Sequence, residues 1–304
     1  PAATIAILLP LTFALPPEGA LIMLAGIFYG SQYGGSTTAI LVNLPGEASS
    51  VVTALDGHKM AQQGRAGEAL AIAALASFFA GCVATLIIAA VAIPLSKLAL
   101  IFGAPEYFAL MCFGMLAAVA LAHGSFLKAI AMILIGLALG LVGMDVYSSV
   151  GRFTFSMPHL VDGLDFVPIS MGLFGIAEIL KNLESNPDRG RQVDARISKL
   201  WPTRETLRRA LPSTIRGTAL GSLLGILPGG GATLSAFSAY ALERKVSKRQ
   251  HEFGHGAVEG VAGPEAANNA GAQTSMIPML TLGIPTNAVT ALMIGALMVH
   301  GIRP

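Results

Sequence analysis

The sequence predicts an all-α polytopic membrane protein with two structural repeats, each containing broken helices and re-entrant hairpins. The chain of 304 residues is 54% hydrophobic and only 12% charged, with a mean hydropathy of +0.68, whereas a soluble domain carries about 25% charged residues. Its long apolar runs are interrupted by proline and glycine, which is the best sequence pointer to a transport site in a membrane. A short pattern also recurs in the two halves of the chain.

The charge balance excludes some classes of partner. A formal net charge of +2 is too small to indicate a nucleic-acid partner, and the basic residues are grouped in loops rather than spread over one face. The expected surroundings are a lipid bilayer. Nothing in the composition predicts a cofactor or a metal centre.

Residues 1–65 are predicted to form the broken-helix region of the first repeat. Two apolar runs at the start are each shorter than the roughly 20 residues that a membrane-crossing helix needs. They are followed by a small, hydroxyl-rich tract at residues 30–38 (GSQYGGSTT) and by a break at residues 44–50 (LPGEASS). A polar loop is expected over residues 56–63.

Residues 66–184 are predicted to contain about four transmembrane helices, over 68–93, 106–122, 126–142 and 167–183. The chain then becomes basic, and residues 185–214 are expected to form a loop. The positive-inside rule places this loop in the cytoplasm.

Residues 215–304 are predicted to form the second repeat, which has a re-entrant hairpin and a broken helix. Its interruptions are residues 227–231 (LPGGG) and 282–287 (LGIPTN). A second basic insert at residues 243–259 belongs on the same side as the first loop. Each arm of the intervening segment is about 20 Å long at 1.5 Å per residue, which is short of the roughly 30 Å hydrocarbon core. We therefore expect the arms to enter and leave on one side, with the glycine tip near mid-membrane.

The tip of this hairpin is predicted to attract an anion. The backbone amides of Gly230, Gly231 and Ala232 begin the second arm and carry the positive end of its helix dipole, a natural seat for a carboxylate. By contrast, the glycines at intervals of four in the first arm predict close helix packing. These glycines are Gly217, Gly221 and Gly225.

The sequence favours an internal duplication. Residues 52–55 (VTAL) recur as residues 289–292, and each copy follows a proline break, at Pro45 or Pro285. Two such halves are expected to face their broken helices toward one shared central site. Whether the repeats are inverted or parallel stays open.

Several motifs, in and around the breaks, resemble those of one transporter family. Residues 227–233 (LPGGGAT), 264–270 (PEAANNA) and 278–285 (PMLTLGIP) resemble the large membrane subunit of the tripartite tricarboxylate transporters. Residues 33–36 (YGGS), 43–47 (NLPGE), 53–57 (TALDG) and 60–65 (MAQQGR) are similar to the same family. Members are considerably longer, so we expect this sequence to be a fragment without the native N-terminus and the C-terminal spans.

The resemblance implies a multi-pass secondary transporter of the bacterial inner membrane and not an enzyme. It would import a tricarboxylate such as citrate, or a related carboxylate, by symport driven by a Na⁺ or H⁺ gradient. A small membrane subunit and a periplasmic substrate-binding protein are the implied partners.

The residues of the break motifs predict how an anion is held. These motifs contain no Arg, Lys or His, so backbone amides, hydroxyls and Asn side chains remain, and their oxygens also suit sodium. The two acids of these motifs either bind a coupling cation, relay a proton, or serve as an interfacial or helix-capping charge. The candidates are Ser36, Thr37, Asn43, Gly46, Glu47, Ser49, Gly229, Gly230, Gly231, Thr233, Glu265, Asn268, Asn269, Thr286 and Asn287.

Two other functions are kept open. A membrane channel or scaffold subunit could use the same fold, but a channel conducts without saturation or ion coupling. Residues 251–255 (HEFGH) match the HExxH signature of zinc peptidases, in which a helix brings two histidines to one metal. Gly254 weakens any helix at this point, and no third ligand is evident in the sequence.

Overall fold

The computed structural model describes most of the chain, with gaps in the middle. The described residues are 1–99, 101, 103, 105–106, 108–109, 112, 125–145, 150–164, 168–169, 171–177, 180, 200–227 and 231–302. Most of the predicted span 106–122, part of the predicted span 167–183, and the tip residues Pro228, Gly229 and Gly230 lie outside the described residues.

Helices dominate the described part of the chain, which confirms the all-α prediction. The helices are α1 (Ala2–Leu8), α2 (Pro17–Val42), α3 (Ser50–Gln62), α4 (Ala66–Ala99), α5 (Phe126–Gly140), α6 (Arg204–Gly225), α7 (Gly231–Val246), α8 (Glu259–Thr274), α9 (Met276–Leu282) and α10 (Ala288–Val299). Shorter elements are the 3₁₀ segments Leu9–Ala14, Pro158–Leu160 and Gln250–Glu252, the π-helical segment Met171–Ile176, and an antiparallel pair of strands, β1 (Gly143–Met144) and β2 (Gly151–Arg152).

Helix α4 is the clearest candidate for a membrane span. Its segment Ala66–Leu95 has 30 residues, and it is the one helix in the described ranges that is long and apolar enough to cross a bilayer. It contains the span predicted at residues 68–93. The apolar helix α5 coincides with the span predicted at residues 126–142 but has only 15 residues. The number of crossings stays a prediction.

Helix α8 lies at the centre of the bundle. It packs against α2, α3, α4, α6 and α7, and all of its residues except Gln273 are buried. Its sequence of glycine, alanine and asparagine explains this position, because small side chains let neighbouring backbones approach on every face. The tract at residues 263–270 is therefore a continuous helical segment and not an interruption.

The glycines spaced by four in α6 pack against α8, as predicted. A Cβ added to Gly221 would lie 2.6 Å from the Cα of Ala267, and one added to Gly225 would lie 2.7 Å from the Cα of Gly271. Neither position could hold a larger side chain unless the two helices moved apart.

Helices α6 and α7 pack side by side as a helical hairpin. The Arg216 guanidinium on α6 donates to both carboxylate oxygens of the buried Glu243 on α7, at 2.7 and 2.6 Å. The predicted basic loop is shorter than expected, because α6 already begins at Arg204. The N-cap Thr203, which accepts a hydrogen bond from the Thr206 amide at 3.2 Å, explains this early start. The re-entrant course of the hairpin in a bilayer stays a prediction.

The predicted polar loop at residues 56–63 is instead most of helix α3. Two of its polar side chains face protein rather than solvent: Asp56 is fully buried, and His58 Nδ1 lies 3.0 Å from the carbonyl oxygen of Ile40 on α2. Lys59, Gln62 and Gln63 are exposed. The loop prediction was wrong because a run of polar residues suggests a solvated loop when the partners that bury those residues lie elsewhere in the sequence.

The two proline breaks have the same backbone form. Asn43 after α2 and Gly283 after α9 both adopt the left-handed conformation, with φ values of 55° and 65°. In each case the next amide donates to the carbonyl five residues before the left-handed residue, from Leu44 to Thr38 at 3.4 Å and from Ile284 to Pro278 at 3.2 Å. Both helices therefore end at a residue in the left-handed conformation. The internal duplication itself stays a prediction.

The close contact of α6 with α8 gives a test by substitution. Gly221→Leu should lower the free energy of unfolding of the full-length protein by about 1–3 kcal/mol or more, because an overpacked interface forces backbone shifts. Gly136→Leu on α5 is the matched control, since an added Cβ there meets nothing within 4 Å. Thermal unfolding of both purified variants measures the difference. Equal unfolding temperatures would contradict this packing.

Candidate functional site

A cavity of about 550 Å³ lies where three interruptions of the chain meet. The break between α2 and α3 forms one wall, and the first turns of α7 and α10 form the others. Its lining residues are Pro1, Phe28, Gln32, Glu47, Ala48, Ser49, Gly231, Ala232, Thr233, Leu234, Phe237, Asn287, Ala288 and Val289. The two halves of the chain thus contribute to one polar pocket, which we call the break pocket.

Three helix N-termini open onto the break pocket. Helices α3, α7 and α10 have 13, 16 and 12 residues, and each begins at the lining. The first amides of a helix have no partner within the helix and carry the positive end of its dipole. The pocket therefore offers backbone donors and a positive potential without a basic side chain among its described lining residues.

Helix α10 begins with a capping box. The Asn287 side chain accepts from the Thr290 amide at 3.0 Å, and the Thr290 hydroxyl accepts from the Asn287 amide at 3.0 Å. Thr286 is buried beside it, and its amide also donates to the Thr290 hydroxyl at 3.0 Å. This reciprocal arrangement fixes the start of α10 and the position of Asn287 at the pocket.

The wall of the pocket that is formed by α2 and the break after it carries the polar side chains of Gln32, Glu47 and Ser49. The Ser49 hydroxyl donates to Gln32 Oε1 at 2.9 Å, which joins the start of α3 to α2. Glu47 Oε1 lies 2.8 Å from the amino group of Pro1. Gly46 does not line the cavity; a Cβ there would lie 2.6 Å from the Cα of Gly35, so this glycine permits the chain to turn tightly against α2.

A second polar group lies in the protein interior around Glu265 of α8. Glu265 Oε1 accepts from Ser36 of α2 at 2.5 Å and from Thr53 of α3, and Glu265 Oε2 accepts from Ser77 of α4 at 3.2 Å. Asn269 Nδ2 donates to the Ser77 hydroxyl at 2.7 Å. All five residues are at most 3% exposed. We call them the Glu265 cluster.

The Glu265 cluster and the break pocket share two helices. On α2, Gln32 lines the pocket and Ser36 reaches Glu265; on α3, Ser49 lines the pocket and Thr53 reaches Glu265. Each pair is four residues apart, which places its members on one helix face about 6 Å from each other. A displacement of either helix would therefore alter both polar groups.

The predicted site residues divide among these locations. Five of them line the break pocket, three belong to the Glu265 cluster, and Asn268 is buried beside that cluster on α8. Thr37 is half-buried on another face of α2, next to an apolar groove, and Asn43 is an exposed helix stop. The pocket group is Glu47, Ser49, Gly231, Thr233 and Asn287, and the cluster group is Ser36, Glu265 and Asn269.

Sequence reasoning missed several polar residues that the structure brings to these places. Gln32 and Thr53 lie in tracts that the sequence marked but were not chosen as site residues, and Ser77 had no motif to mark it. A signal was present in two cases: Gln32 is four residues before Ser36 in a helical tract, and Ser77 interrupts a long apolar run. An isolated hydroxyl in such a run needs a partner, because burial of an unpaired polar group is costly.

Comparison with known families decides the family of the chain. The model described as the Tripartite tricarboxylate transporter TctA family matches residues 1–304. The chain belongs to the TctA family. The resemblance predicted from the break motifs is thereby confirmed.

Two relatives of this TctA-family chain come from Agrobacterium vitis. It is 60% identical over 304 residues to a protein described as an uncharacterized 52.8 kDa protein in the TAR-I ttuC' 3' region, a match that covers 100% of this chain and 60% of the relative. It is 63% identical over 84 residues to an uncharacterized protein in the TAR-II ttuC' 3' region, which covers 28% of this chain and 35% of that protein. The chain thus spans 60% of the length of the first relative. No solved structure matches it.

The HExxH segment of this TctA-family chain does not have the form of a zinc site. Residues 250–252 form a short 3₁₀ turn, and Gly254 and Gly256 have φ values of 82° and 104°, so no α-helix brings His251 and His255 to one face. Among the described residues, no group of three His, Cys, Asp or Glu side chains is placed to hold a metal ion. The peptidase alternative therefore has no structural support.

The Glu252 carboxylate of this segment has a structural partner. Arg209 of α6 donates to Glu252 at 2.5 Å and to Glu259 at 3.0 and 2.7 Å. Partial burial raises the pKa of Glu252, but the guanidinium groups of Arg209 and Arg249 outweigh burial and hold this pKa below its usual range. The segment thus ties α6 to the start of α8.

Asp56, in the middle of α3, holds the same segment. Its Oδ1 accepts from the amides of Gly254, Gly256 and Ala257 at 2.8, 2.8 and 2.9 Å, and its Oδ2 accepts from Tyr240 of α7 at 3.0 Å. Helices α3 and α7, which both begin at the break pocket, are therefore joined again further along their lengths.

Substitution of Asp56 tests this fastening. Asp56→Ala leaves three amides without an acceptor, each costing about 1–3 kcal/mol when buried, so local opening of residues 247–257 should become at least about fivefold more frequent. Limited trypsin cleavage after the exposed Lys248 and Arg249 measures it. Asp56→Asn keeps one acceptor oxygen and should be cleaved at nearly the wild-type rate. Identical rates for all three proteins would contradict the role of Asp56.

Proposed function

We propose that this chain forms the substrate-binding part of a secondary transporter that imports a tricarboxylate or a related carboxylate. The observation that supports this most is the break pocket, where three helix N-termini meet between the two halves of the chain. An arrangement of this kind suits a ligand with several carboxylates, because each carboxylate can face the start of a different helix. Membership of the TctA family supports the same substrate class.

The polar side chains of the pocket suit the same ligand. Gln32, Thr233 and Asn287 offer amide and hydroxyl donors, while Phe28 and Phe237 line the apolar part of the wall. Neutral donors bind a carboxylate less tightly than an arginine clamp does, since hydrogen bonds between charged groups are about twice as strong as neutral ones. Weak, neutral binding serves a transporter, which must release its substrate on the other side.

Glu47 is the one acid on the wall of the break pocket. A carboxylate there repels an anionic substrate unless a cation or a proton accompanies it, because like charges in a partly desolvated site are costly. We propose that Glu47 makes substrate binding depend on a co-bound cation, which is one physical basis for symport.

The remaining parts of the proposed function extend beyond this chain. A periplasmic binding protein would deliver the carboxylate, a small membrane subunit would accompany the transporter, and a Na⁺ or H⁺ gradient would drive uptake in the bacterial inner membrane. The apolar helix α4 supports a membrane location. A channel or scaffold accounts less well for the pocket, because neither function needs a closed polar site shared by two halves.

A charge introduced at Asn287 tests the proposed pocket. Asn287→Asp keeps the cap of α10, since aspartate caps helices as well as asparagine does, but it places a second negative charge on the pocket wall. Uptake of a labelled tricarboxylate below saturation should fall at least about tenfold, which corresponds to about 1.4 kcal/mol of lost binding. The measurement uses full-length protein, its small subunit and its binding protein in liposomes.

Asn43→Asp is the matched control for this experiment. Asn43 stands at the corresponding proline break, has a φ of 55°, and lies outside the pocket. Because this site is exposed and its charge is screened by solvent, the same change of charge there should leave uptake within about twofold of the wild-type value. Equal uptake by both variants would contradict the pocket assignment. Conductance that does not saturate with substrate would favour a channel instead.

A further inference from the structure

We propose that the Glu265 cluster is a sodium-binding site. Its ligands are oxygens of Glu265, Ser36, Thr53, Ser77 and Asn269, which come from four helices. The binding of sodium is argued here from these residues alone, and its role as the coupling ion rests on the proposed transport function. Three observations support the assignment: an unpaired buried charge, a set of hard oxygen donors, and amide oxygens that have no partner.

The charge of Glu265 has no protein counter-ion. Glu265 is 0% exposed, and the ion pairs in the described part of the chain involve other acids, none of them on this helix face. Burial of an isolated carboxylate in an apolar interior costs on the order of several kcal/mol, even after the surrounding protein relaxes. Hydroxyl donors reduce this penalty but leave the net charge. A bound cation or a proton must therefore balance it.

Unpartnered amide oxygens favour the cation over the proton. Asn269 Oδ1 and Asn268 Oδ1 are buried and have no hydrogen-bond partner among the described residues. The orientation of the Asn269 amide is fixed, because its nitrogen donates to the backbone oxygen of Glu265 at 2.9 Å and to the Ser77 hydroxyl at 2.7 Å. A proton on Glu265 would neutralise the carboxylate but would leave these oxygens unsatisfied, whereas a metal cation could bind them.

The donor set selects a hard monovalent cation. All of the available ligands are carboxylate, hydroxyl and amide oxygens, and no sulfur or imidazole belongs to the cluster, which disfavours zinc and other transition metals. A divalent cation beside a single carboxylate would leave a buried net positive charge. Sodium gives neutrality with one carboxylate.

The cluster is close enough to the break pocket for a bound ion to influence substrate binding there. Ser36 and Thr53, which would bind sodium, lie one helical turn from Gln32 and Ser49 of the break pocket. Sodium would hold α2 and α3 against α8 and thereby fix the first-half wall of the pocket. Without the ion, the desolvation cost of the unbalanced Glu265 charge would favour entry of water and loosen this wall.

Direct binding of radioactive sodium tests the site. Full-length protein in detergent is equilibrated with ²²Na⁺ in potassium buffer, without any carboxylate, and bound sodium is counted. The wild type should bind sodium saturably. Thr53→Val removes one oxygen at constant side-chain shape and should raise the Kd for sodium about tenfold, which is typical for loss of one well-placed ligand. Glu265→Gln removes the charge and should abolish the binding.

Thr37→Val is the matched control, because this hydroxyl lies on another face of α2 and bonds only within its own helix. It should bind sodium as the wild type does. If Glu265→Gln does not fold, Thr53→Val still decides the question. The proposal is overturned if the wild type binds no sodium, or if Thr53→Val and Thr37→Val have the same Kd as the wild type.

The outcome is separable from that of the proposed transport function. Loss of sodium binding with normal carboxylate uptake, driven by a proton gradient, would overturn the sodium site and leave the break pocket intact. Normal sodium binding by a protein that takes up no carboxylate would uphold the sodium site and overturn the proposed function.

Discussion

The rest of the structure depends on one buried carboxylate. Glu265 lies in the middle of α8, a helix with neighbours on every side, and its hydrogen-bond donors come from α2, α3 and α4. An acid at this depth is tolerated only if several groups converge on it, because its desolvation is costly. The requirement for convergence explains the composition around it, since alanine and glycine on α4, α6 and α8 allow the backbones to approach.

The position of the breaks follows from a second constraint. Three helices must begin inside the bundle if their free amides are to face one pocket, and a continuous helix offers no free amides there. Proline and left-handed residues provide the interruptions at low cost, as Asn43 and Gly283 show by their identical stop geometry. Unpaired backbone groups at such depth are acceptable where they line a polar cavity. The breaks would thus give an apolar chain the anion site proposed for the break pocket, without a basic side chain among its described lining residues.

The sequence predicted the parts of this architecture that are coded locally. The proline breaks, the packing stripe through Gly221, and the polar residues Ser49 and Asn287 at the pocket were all recognisable from spacing and residue type. Long-range partners were not recognisable. Asp56 was assigned to a loop because its hydrogen-bond donors, which include Tyr240 and Ala257, lie about two hundred residues away in the sequence.

The sequence also merged two sites into one. Ser36 and Glu265 were grouped with the pocket residues, but they belong to a separate interior cluster. Helical periodicity places Ser36 near Gln32, yet it cannot say that Ser36 reaches Glu265 on α8 while Gln32 lines the pocket. Only the packing of α2 and α3 around α8 separates the cluster from the cavity, and this packing is set by the small residues of the central helix.

Thermodynamic linkage between the two sites is the most direct test of this account. The affinity of the full-length protein for a labelled tricarboxylate should be measured with sodium and with potassium at equal ionic strength. The account predicts that saturating sodium tightens carboxylate binding about 5- to 150-fold, the usual range of coupling between sites, and that the carboxylate tightens sodium binding by the same factor. Carboxylate affinity that is the same in sodium and in potassium would contradict the claim that the Glu265 cluster controls the break pocket.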